Sequence, residues 1–340
     1  MLALALNPTT GNDMMVVYDN KTMVHYRSTE FIKSYSVPDG AYITSLGWKP
    51  QINKMVKTEN FIAASSDGRI YILKLADYSL VTEKKMKAHD GSVIQIKWSS
   101  DGLSFASSGE DGEVKIWSKV GNLRTRLGSF DKPVYDFAWG PDNESIVLGI
   151  GNVISIIHSQ GHEKKRSWKA YTSDDESDAH TSHSAQSSSS GVILAIDWNC
   201  INQLIVCGGE NRCYKIFNSV GVPLYTSSLV YHQITSLAWA PSGKFFIVGS
   251  FNFIGLYGIN GISHSLKYLE CGSLLNTVWS PDGSSIATMC GDGTVSIMNI
   301  IGNKEEWGST TCQHVREKEI LISDASVTSD DCVGEIVSTR

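Results

Sequence analysis

Short runs of alternating apolar and polar residues recur along the chain, and each run ends in a tryptophan followed by a turn. The clearest runs are residues 234–239, followed by Ala-Pro-Ser-Gly, and 274–279, followed by Ser-Pro-Asp-Gly. Residues 93–98 and 134–139 follow the same plan. Alternation over six residues predicts a half-buried strand rather than a helix, and Pro followed by Gly favours a tight turn. The pattern therefore predicts a chain built from short strands.

The tryptophans that end these runs recur at a nearly constant interval. Successive spacings are 50, 41, 59, 41 and 40 residues between Trp48, Trp98, Trp139, Trp198, Trp239 and Trp279. A step of 41 residues back from Trp48 falls on Asn7, which we take as a seventh, degenerate anchor. A period of about 41 residues with four short strands per unit is typical of a β-propeller blade. The sequence thus predicts an all-β, seven-bladed propeller whose anchors pack between blades.

Asp-Gly pairs mark a second recurring turn, between two strands of the same unit. Asp-Gly is a strong hairpin signal because glycine accepts a positive φ without steric cost. The predicted hairpin turns are Asp67-Gly68, Asp111-Gly112 and Asp292-Gly293.

The two longer spacings predict insertions. The first places extra residues at 51–60. The second is a serine-rich and acidic segment at 172–190, which lacks Val, Ile, Leu and aromatic residues and is expected to be disordered. Ser173 and Ser177 stand beside its acidic residues, which makes them candidate phosphorylation sites. We expect a propeller over residues 1–315. Residues 316–340 are expected to form a loose tail or the start of a missing second propeller.

Net charge and cysteine content exclude several classes of protein. The chain carries 29 Lys and Arg against 35 Asp and Glu, a net charge of −6, which argues against nucleic-acid binding through bulk charge. No stretch approaches 18 consecutive apolar residues, so no membrane insertion is expected. The seven cysteines include no C-x-x-C pair, which argues against a disulfide framework or a zinc site and favours a reducing compartment.

No catalytic, cofactor-binding or metal-binding motif was found, and no small-molecule substrate is expected. A propeller instead offers a rim, the loops that join the outer strand of one blade to the inner strand of the next. The candidate rim residues are Lys87, His89, Asp90, Asp131, Lys132, Tyr231 and His232. For His89 and His232 we also expect a structural role, a hydrogen bond that braces a turn.

The Trp-x-Pro-Asp-Gly anchors and the run Asp-Gly-Glu-Val-Lys-Ile-Trp at 111–117 resemble the WD-repeat family, which implies a WD40-type propeller. The WD dipeptide itself is absent, so most of the buried Asp-based network of that family is expected to be missing. The ordered set of runs at 108–118, 134–142, 208–217, 223–225, 234–241, 248–251 and 305–307 further resembles the N-terminal propeller of the intraflagellar transport protein 80 family. Relative to that family the chain is apparently truncated.

This resemblance implies a non-catalytic scaffold of intraflagellar transport complex B, whose partners are the other subunits of that complex. Its implied location is the cilium or flagellum and its base, on the cytoplasmic side. One alternative is another WD-repeat adaptor, of a coat complex or a ubiquitin ligase. A second is a propeller enzyme, which would need acidic or metal-ligating residues on inner strands; those strands carry mainly Thr, Ser, Ala and aliphatic residues. We also expect a weak ring closure, formed only by side-chain packing between the first and last blades.

Overall fold

Antiparallel strands make up nearly all of the regular structure. The computed structural model describes residues 3–18, 21–27, 30–50, 59–161, 164–172, 191–300 and 326–327. Besides strands, these residues contain one 3-10 turn, Pro38–Gly40. None of the helices in this part of the chain is long and apolar enough to cross a membrane.

Five blades each consist of four antiparallel strands in sequence order. Blade 1 contains β1 (Ala3–Leu6), β2 (Asp13–Val17), β3 (Thr22–Arg27) and β4 (Glu30–Ser36). Blade 2 contains β5 (Ile43–Trp48), β6 (Asn60–Ser65), β7 (Arg69–Ala76) and β8 (Ser79–Lys87). Blade 3 contains β9 (Val93–Trp98), β10 (Ser104–Gly109), β11 (Glu113–Ser118) and β12 (Leu123–Ser129).

The next two blades follow the same order. Blade 4 contains β13 (Val134–Trp139), β14 (Ser145–Ile150), β15 (Val153–His158) and β16 (Lys164–Lys169). Blade 5 contains β17 (Ile193–Trp198), β18 (Ile205–Gly209), β19 (Lys215–Phe217) and β20 (Pro223–Thr226). The last sheet has six strands: β21 (Ser236–Trp239), β22 (Phe245–Gly258), β23 (Ser263–Trp279), β24 (Ser285–Cys290), β25 (Val295–Asn299) and β26 (Ser326–Val327).

The prediction of seven blades is wrong, because the described residues form six sheets and therefore six blades. Strand β23 runs for 17 residues without a break. Its first part pairs with β22 and its second part with β24, and the pairing of Phe251 with Ser273 continues the ladder between the two parts. The two repeat units that carry Trp239 and Trp279 are consequently merged into blade 6.

Ring closure joins blade 1 to blade 6 through a shared apolar core. Leu4, Met14 and Val16 of blade 1 are buried against Met289 and Val295 of blade 6. Within the described sheets, no strand of blade 1 pairs with a strand of blade 6. A polar cluster lies next to this core, where Asp13 accepts hydrogen bonds from His25 and Arg27. The bond from His25, together with Arg27, lowers the pKa of Asp13 well below its usual value.

The three Asp-Gly turns have one geometry. Each aspartate accepts a hydrogen bond from the N–H two residues ahead, at 3.2 Å for Asp67, 3.0 Å for Asp111 and 2.9 Å for Asp292. The glycine that follows has a positive φ, 80° at Gly68 and 72° at Gly112. A Cβ at Gly68 would also collide with the carbonyl oxygen of His89, so this position requires glycine.

Three expectations lie wholly or largely outside the described residues. They are the insertion at 51–60, of which only residues 59 and 60 are described, the segment at 172–190 beyond Thr172, with Ser173 and Ser177, and residues 316–340 apart from β26.

Candidate protein-interaction surface

The anchor tryptophans hold neighbouring inner strands together. Trp98 Nε1 donates a hydrogen bond to the carbonyl oxygen of Gly47 at 3.1 Å, and Trp139 Nε1 donates to that of Lys97 at 3.0 Å. Trp279 Nε1 donates to Ala238 at 3.0 Å in the same way. Each acceptor directly precedes the anchor of the preceding inner strand, so the bond repeats around the ring with one register.

Two anchors depart from this arrangement. Trp198 Nε1 donates to Gln203 in the turn of its own blade, at 3.3 Å. Trp239 Nε1 is buried without a hydrogen-bond partner among the described residues. Near each of these two anchors, an aspartate on one inner strand accepts a backbone N–H from the neighbouring inner strand.

The same register places Leu6, rather than Asn7, in the anchor position of blade 1. Trp48 Nε1 donates to the carbonyl oxygen of Ala5 at 3.2 Å, and Ala5 directly precedes Leu6. Asn7 is buried in the following turn, where its side-chain oxygen accepts the N–H of Thr9 at 2.9 Å. A count of 41 residues cannot resolve a shift of one position, whereas a hydrogen bond can.

Blade 3 contains a buried network of four polar side chains. His89 Nδ1 lies 2.9 Å from Asp111 Oδ1, and His89 Nε2 lies 2.7 Å from Ser107 Oγ. Ser107 Oγ also accepts a hydrogen bond from Trp117 Nε1 at 2.9 Å. Because a carboxylate only accepts hydrogen bonds, Nδ1 of His89 carries the proton and Nε2 accepts the hydroxyl of Ser107. The network joins the loop before β9 to strand β10, to the turn that follows it and to strand β11.

The ionisation of this network suits a structural role. Burial lowers the pKa of His89, against the opposing effect of Asp111, so that the ring is neutral at pH 7. Burial acts to raise the pKa of Asp111, but the N–H groups of Glu113 and Asp90 and the contact with His89 outweigh it, and the pKa is lowered. The result is a neutral imidazole that donates to a carboxylate.

His89, Asp111 and Glu113 are the one group in the described part of the chain whose spacing could hold a metal ion. The ammonium group of Lys115 already occupies this position. It lies 2.5 Å from Glu113 Oε2 and donates to the carbonyl oxygen of Ala88 at 2.6 Å. The cluster therefore carries its own cation and is part of the fold.

The candidate rim residues divide into buried and exposed groups. His89 is 1% exposed and belongs to the buried network. The remaining six are exposed at the joins between blades: Lys87, Asp90, Asp131, Lys132, Tyr231 and His232. Within the described parts of the chain, His232 has no hydrogen bond of the kind found at His89; its ring packs edge-on against Phe251 at 5.1 Å between centroids. In the join before β17, Tyr171 is buried and its hydroxyl donates to the carbonyl oxygen of Cys213.

Tyr231 and His232 border a small cavity of about 170 Å³, which we call the aromatic pocket. Its other walls are formed by Phe251 and Phe253 of β22 and by Tyr268 of β23. These aromatic residues converge only because β22 and β23 pair, with Phe253 opposite Tyr268. Sequence reasoning identified the loop but missed the three residues from the strands.

The axial channel, about 870 Å³ in volume, contains charged residues that the sequence analysis did not expect on inner strands. Lys97 Nζ lies 2.6 Å from Asp136 Oδ1, and Asp136 Oδ2 accepts the N–H of Ile196 at 3.0 Å. Asp197 Oδ2 accepts the N–H of Trp239 at 2.7 Å. Burial raises the pKa of Asp197, and Lys97 opposes this rise.

These groups connect the inner strands of blades 3 to 6. Each aspartate accepts a backbone N–H from the next inner strand, so the carboxylates act as cross-links between blades. The signal for them was present in the sequence, because Lys97, Asp136 and Asp197 place charges on inner strands that are mainly apolar.

The six antiparallel sheets define the class of fold, an all-β propeller of the WD40 type. The model of the family "WD domain, G-beta repeat" matches residues 80–118, which include all four residues of the blade 3 network, and residues 222–253.

The predicted resemblance to intraflagellar transport protein 80 is confirmed. The chain is 36% identical over 304 residues to the intraflagellar transport protein 80 homologs of Mus musculus and Rattus norvegicus, which covers 88% of this chain and 36% of each relative. A weaker similarity, 24% over 151 residues and 44% of this chain, relates it to the F-box-like/WD repeat-containing protein TBL1X of Mus musculus, of which it covers 25%. The chain thus spans about a third of the length of its more similar relatives.

Proposed function

We propose that this propeller is a non-catalytic docking body of an intraflagellar transport complex, and specifically of complex B. The observation that carries the proposal is the 36% identity to intraflagellar transport protein 80 homologs along 88% of the chain. The similarity to the F-box-like/WD repeat-containing protein TBL1X extends over only 44% of the chain. The proposed location is the cilium or flagellum and its base, on the cytoplasmic side.

The construction of the ring supports a docking role. Six blades with buried strands form a rigid body, and the joins between blades expose side chains of both charges and of aromatic type at the rim, such as Lys132, Asp131 and Tyr231. Loops carried on a rigid scaffold are a common site of protein recognition. Mixed charge at a rim acts mainly on association rate and on partner choice.

The described polar clusters support binding rather than catalysis. His89, Asp111 and Glu113 are paired with Ser107 and Lys115 inside blade 3. Asp136 accepts hydrogen bonds from Lys97 and from a backbone N–H. A catalytic acid or base has to reach a substrate proton, whereas these groups are engaged in joining blades.

The direct test combines the purified 340-residue chain with recombinant complex B subunits and measures association by size-exclusion chromatography and biolayer interferometry. We expect co-elution with complex B subunits. A charge-reversal variant, Lys87→Glu with Lys132→Glu, is expected to slow association, while Lys244→Glu in the turn before β22, away from the rim, serves as the matched surface control. Absence of association with complex B, together with binding to coat or ubiquitin-ligase subunits, would contradict the proposal.

A further inference from the structure

The aromatic pocket combines high exposure with rigid walls. Tyr231 is 79% exposed, Tyr268 70% and Phe251 44%. Large aromatic groups that cluster at the surface are characteristic of binding sites rather than of ordinary solvent-exposed loops.

Hydrogen bonds hold the loop of this pocket in place. The loop before β21 is tied at one end by the N–H of Val230, which donates to the carbonyl oxygen of Arg212 at 2.7 Å. At the other end, Ser250 Oγ donates to the carbonyl oxygen of Gln233 at 2.8 Å. The pocket therefore exists before any partner binds, which reduces the entropy lost on binding.

Hydrogen bonds hold the strand side as well. The turn at Asn252 is fixed because its side-chain oxygen accepts the N–H groups of Cys271 and Gly272, at 3.1 and 2.7 Å. Phe253 and Tyr268 pack against each other at 5.5 Å between ring centroids.

Size and charge select the occupant. A cavity of about 170 Å³ is well below the roughly 300 Å³ at which small-molecule sites begin, but it can accept one side chain. Its lining contains no Asp, Glu, Lys or Arg. A carboxylate inserted there would lose its hydration without gaining a counter-charge. The complementary occupant is an uncharged aliphatic side chain.

We propose that the aromatic pocket receives one aliphatic side chain, such as leucine, from an extended segment of a partner protein. This inference deepens the proposed function and rests on it for the partner's identity, complex B. Tyr231 and Tyr268 flank the inserted side chain, and their hydroxyl groups remain free to contact the partner's backbone.

The test of the pocket uses a random 12-residue peptide library displayed on phage and selected against the full chain. Enriched peptides are expected to share one uncharged aliphatic anchor. The enriched peptides, made synthetically, should bind the double variant Tyr231→Ser/Tyr268→Ser at least about tenfold more weakly than the unmodified chain. They should also lose binding to the unmodified chain when their anchor residue is changed to Asp. Tyr78→Ser, an exposed tyrosine between β7 and β8, is the matched control. Enrichment of charged anchors, equal binding to the double variant or no enrichment would overturn the inference.

A second measurement separates this inference from the proposed function. The same double variant is mixed with recombinant complex B subunits beside the unmodified chain. If both associate equally, the pocket inference is overturned while the proposed function stands. If the unmodified chain fails to associate, the proposed function fails, and the peptide selection still decides whether the pocket binds an aliphatic anchor. A tenfold or larger loss confined to the double variant supports both.

Discussion

Ser107 is the central residue of the blade 3 network, and its removal should destabilise the ring in a predictable way. Ser107→Ala deletes one oxygen atom that accepts from Trp117 Nε1 and donates to His89 Nε2. All three residues are buried. The substitution therefore leaves one donor and one acceptor without partners in the protein interior.

The expected cost follows from these two orphaned groups. A buried polar group left unsatisfied costs roughly 1–3 kcal/mol, so the two groups orphaned by Ser107→Ala should lower the free energy of unfolding by about 2–6 kcal/mol. For a ring of this size, each kcal/mol corresponds to about 2 °C in Tm. The melting temperature is therefore expected to fall by about 4–12 °C.

The neighbouring serine provides a matched control. Ser108 is also buried, but its hydroxyl has no hydrogen-bond partner among the described residues. Ser108→Ala removes the same atom from the same strand and should leave Tm unchanged or slightly raised. Thermal melts and urea titrations of both variants measure the difference, and hydrogen exchange should show lost protection in β9–β12 for Ser107→Ala. Equal Tm shifts for the two variants, or unchanged exchange in blade 3, would refute the reasoning.

Three further predictions concern the ring elsewhere. Trp48→Phe breaks a hydrogen bond to the preceding inner strand, whereas Trp239→Phe breaks none among the described residues. Chemical denaturation should therefore find the Trp48→Phe variant less stable than the Trp239→Phe variant by about 1 kcal/mol. Equal stabilities of the two variants would contradict this prediction. Asp13 has a lowered pKa, so it stabilises the fold above the unfolded pKa of about 3.9 and loses this effect as pH falls through the folded pKa. The Asp13→Asn variant should therefore be less stable than the unmodified chain at pH 7, and the difference in unfolding free energy should shrink below about pH 4. A difference that does not change with pH would count against the prediction. Gly68→Ala should lower the free energy of unfolding by more than about 2 kcal/mol, because the added Cβ meets backbone atoms at a position with positive φ. Gly283→Ala also places a Cβ at a positive φ, but the nearest atom is 3.8 Å away, so it should lower the free energy of unfolding by about 1 kcal/mol. Equal losses of stability in urea titrations would argue against the collision at Gly68.

Much of the fold could be predicted from local patterns. Alternation of apolar and polar residues indicated strands, and the Asp-Gly pairs indicated turns whose geometry the structure describes at Asp67 and Asp111. The site was harder to predict. The loop at Tyr231 was identified as part of a rim, but nothing in its own sequence indicates that Tyr268 lies beside it.

The sequence by itself determined the class of fold. Strand alternation and tight turns depend on residues close together in the chain, and the repeat of about 41 residues can be counted along it. Only the tertiary structure decided three further features: the number of blades, the anchor position in blade 1 and the assembly of the aromatic pocket. Each depends on a contact between distant residues, namely the continuous pairing of β23 with both β22 and β24, the bond from Trp48 to Ala5 and the pairing of Phe253 with Tyr268. Register between strands is set by packing and hydrogen bonds in three dimensions, which a repeat length cannot specify to a single residue.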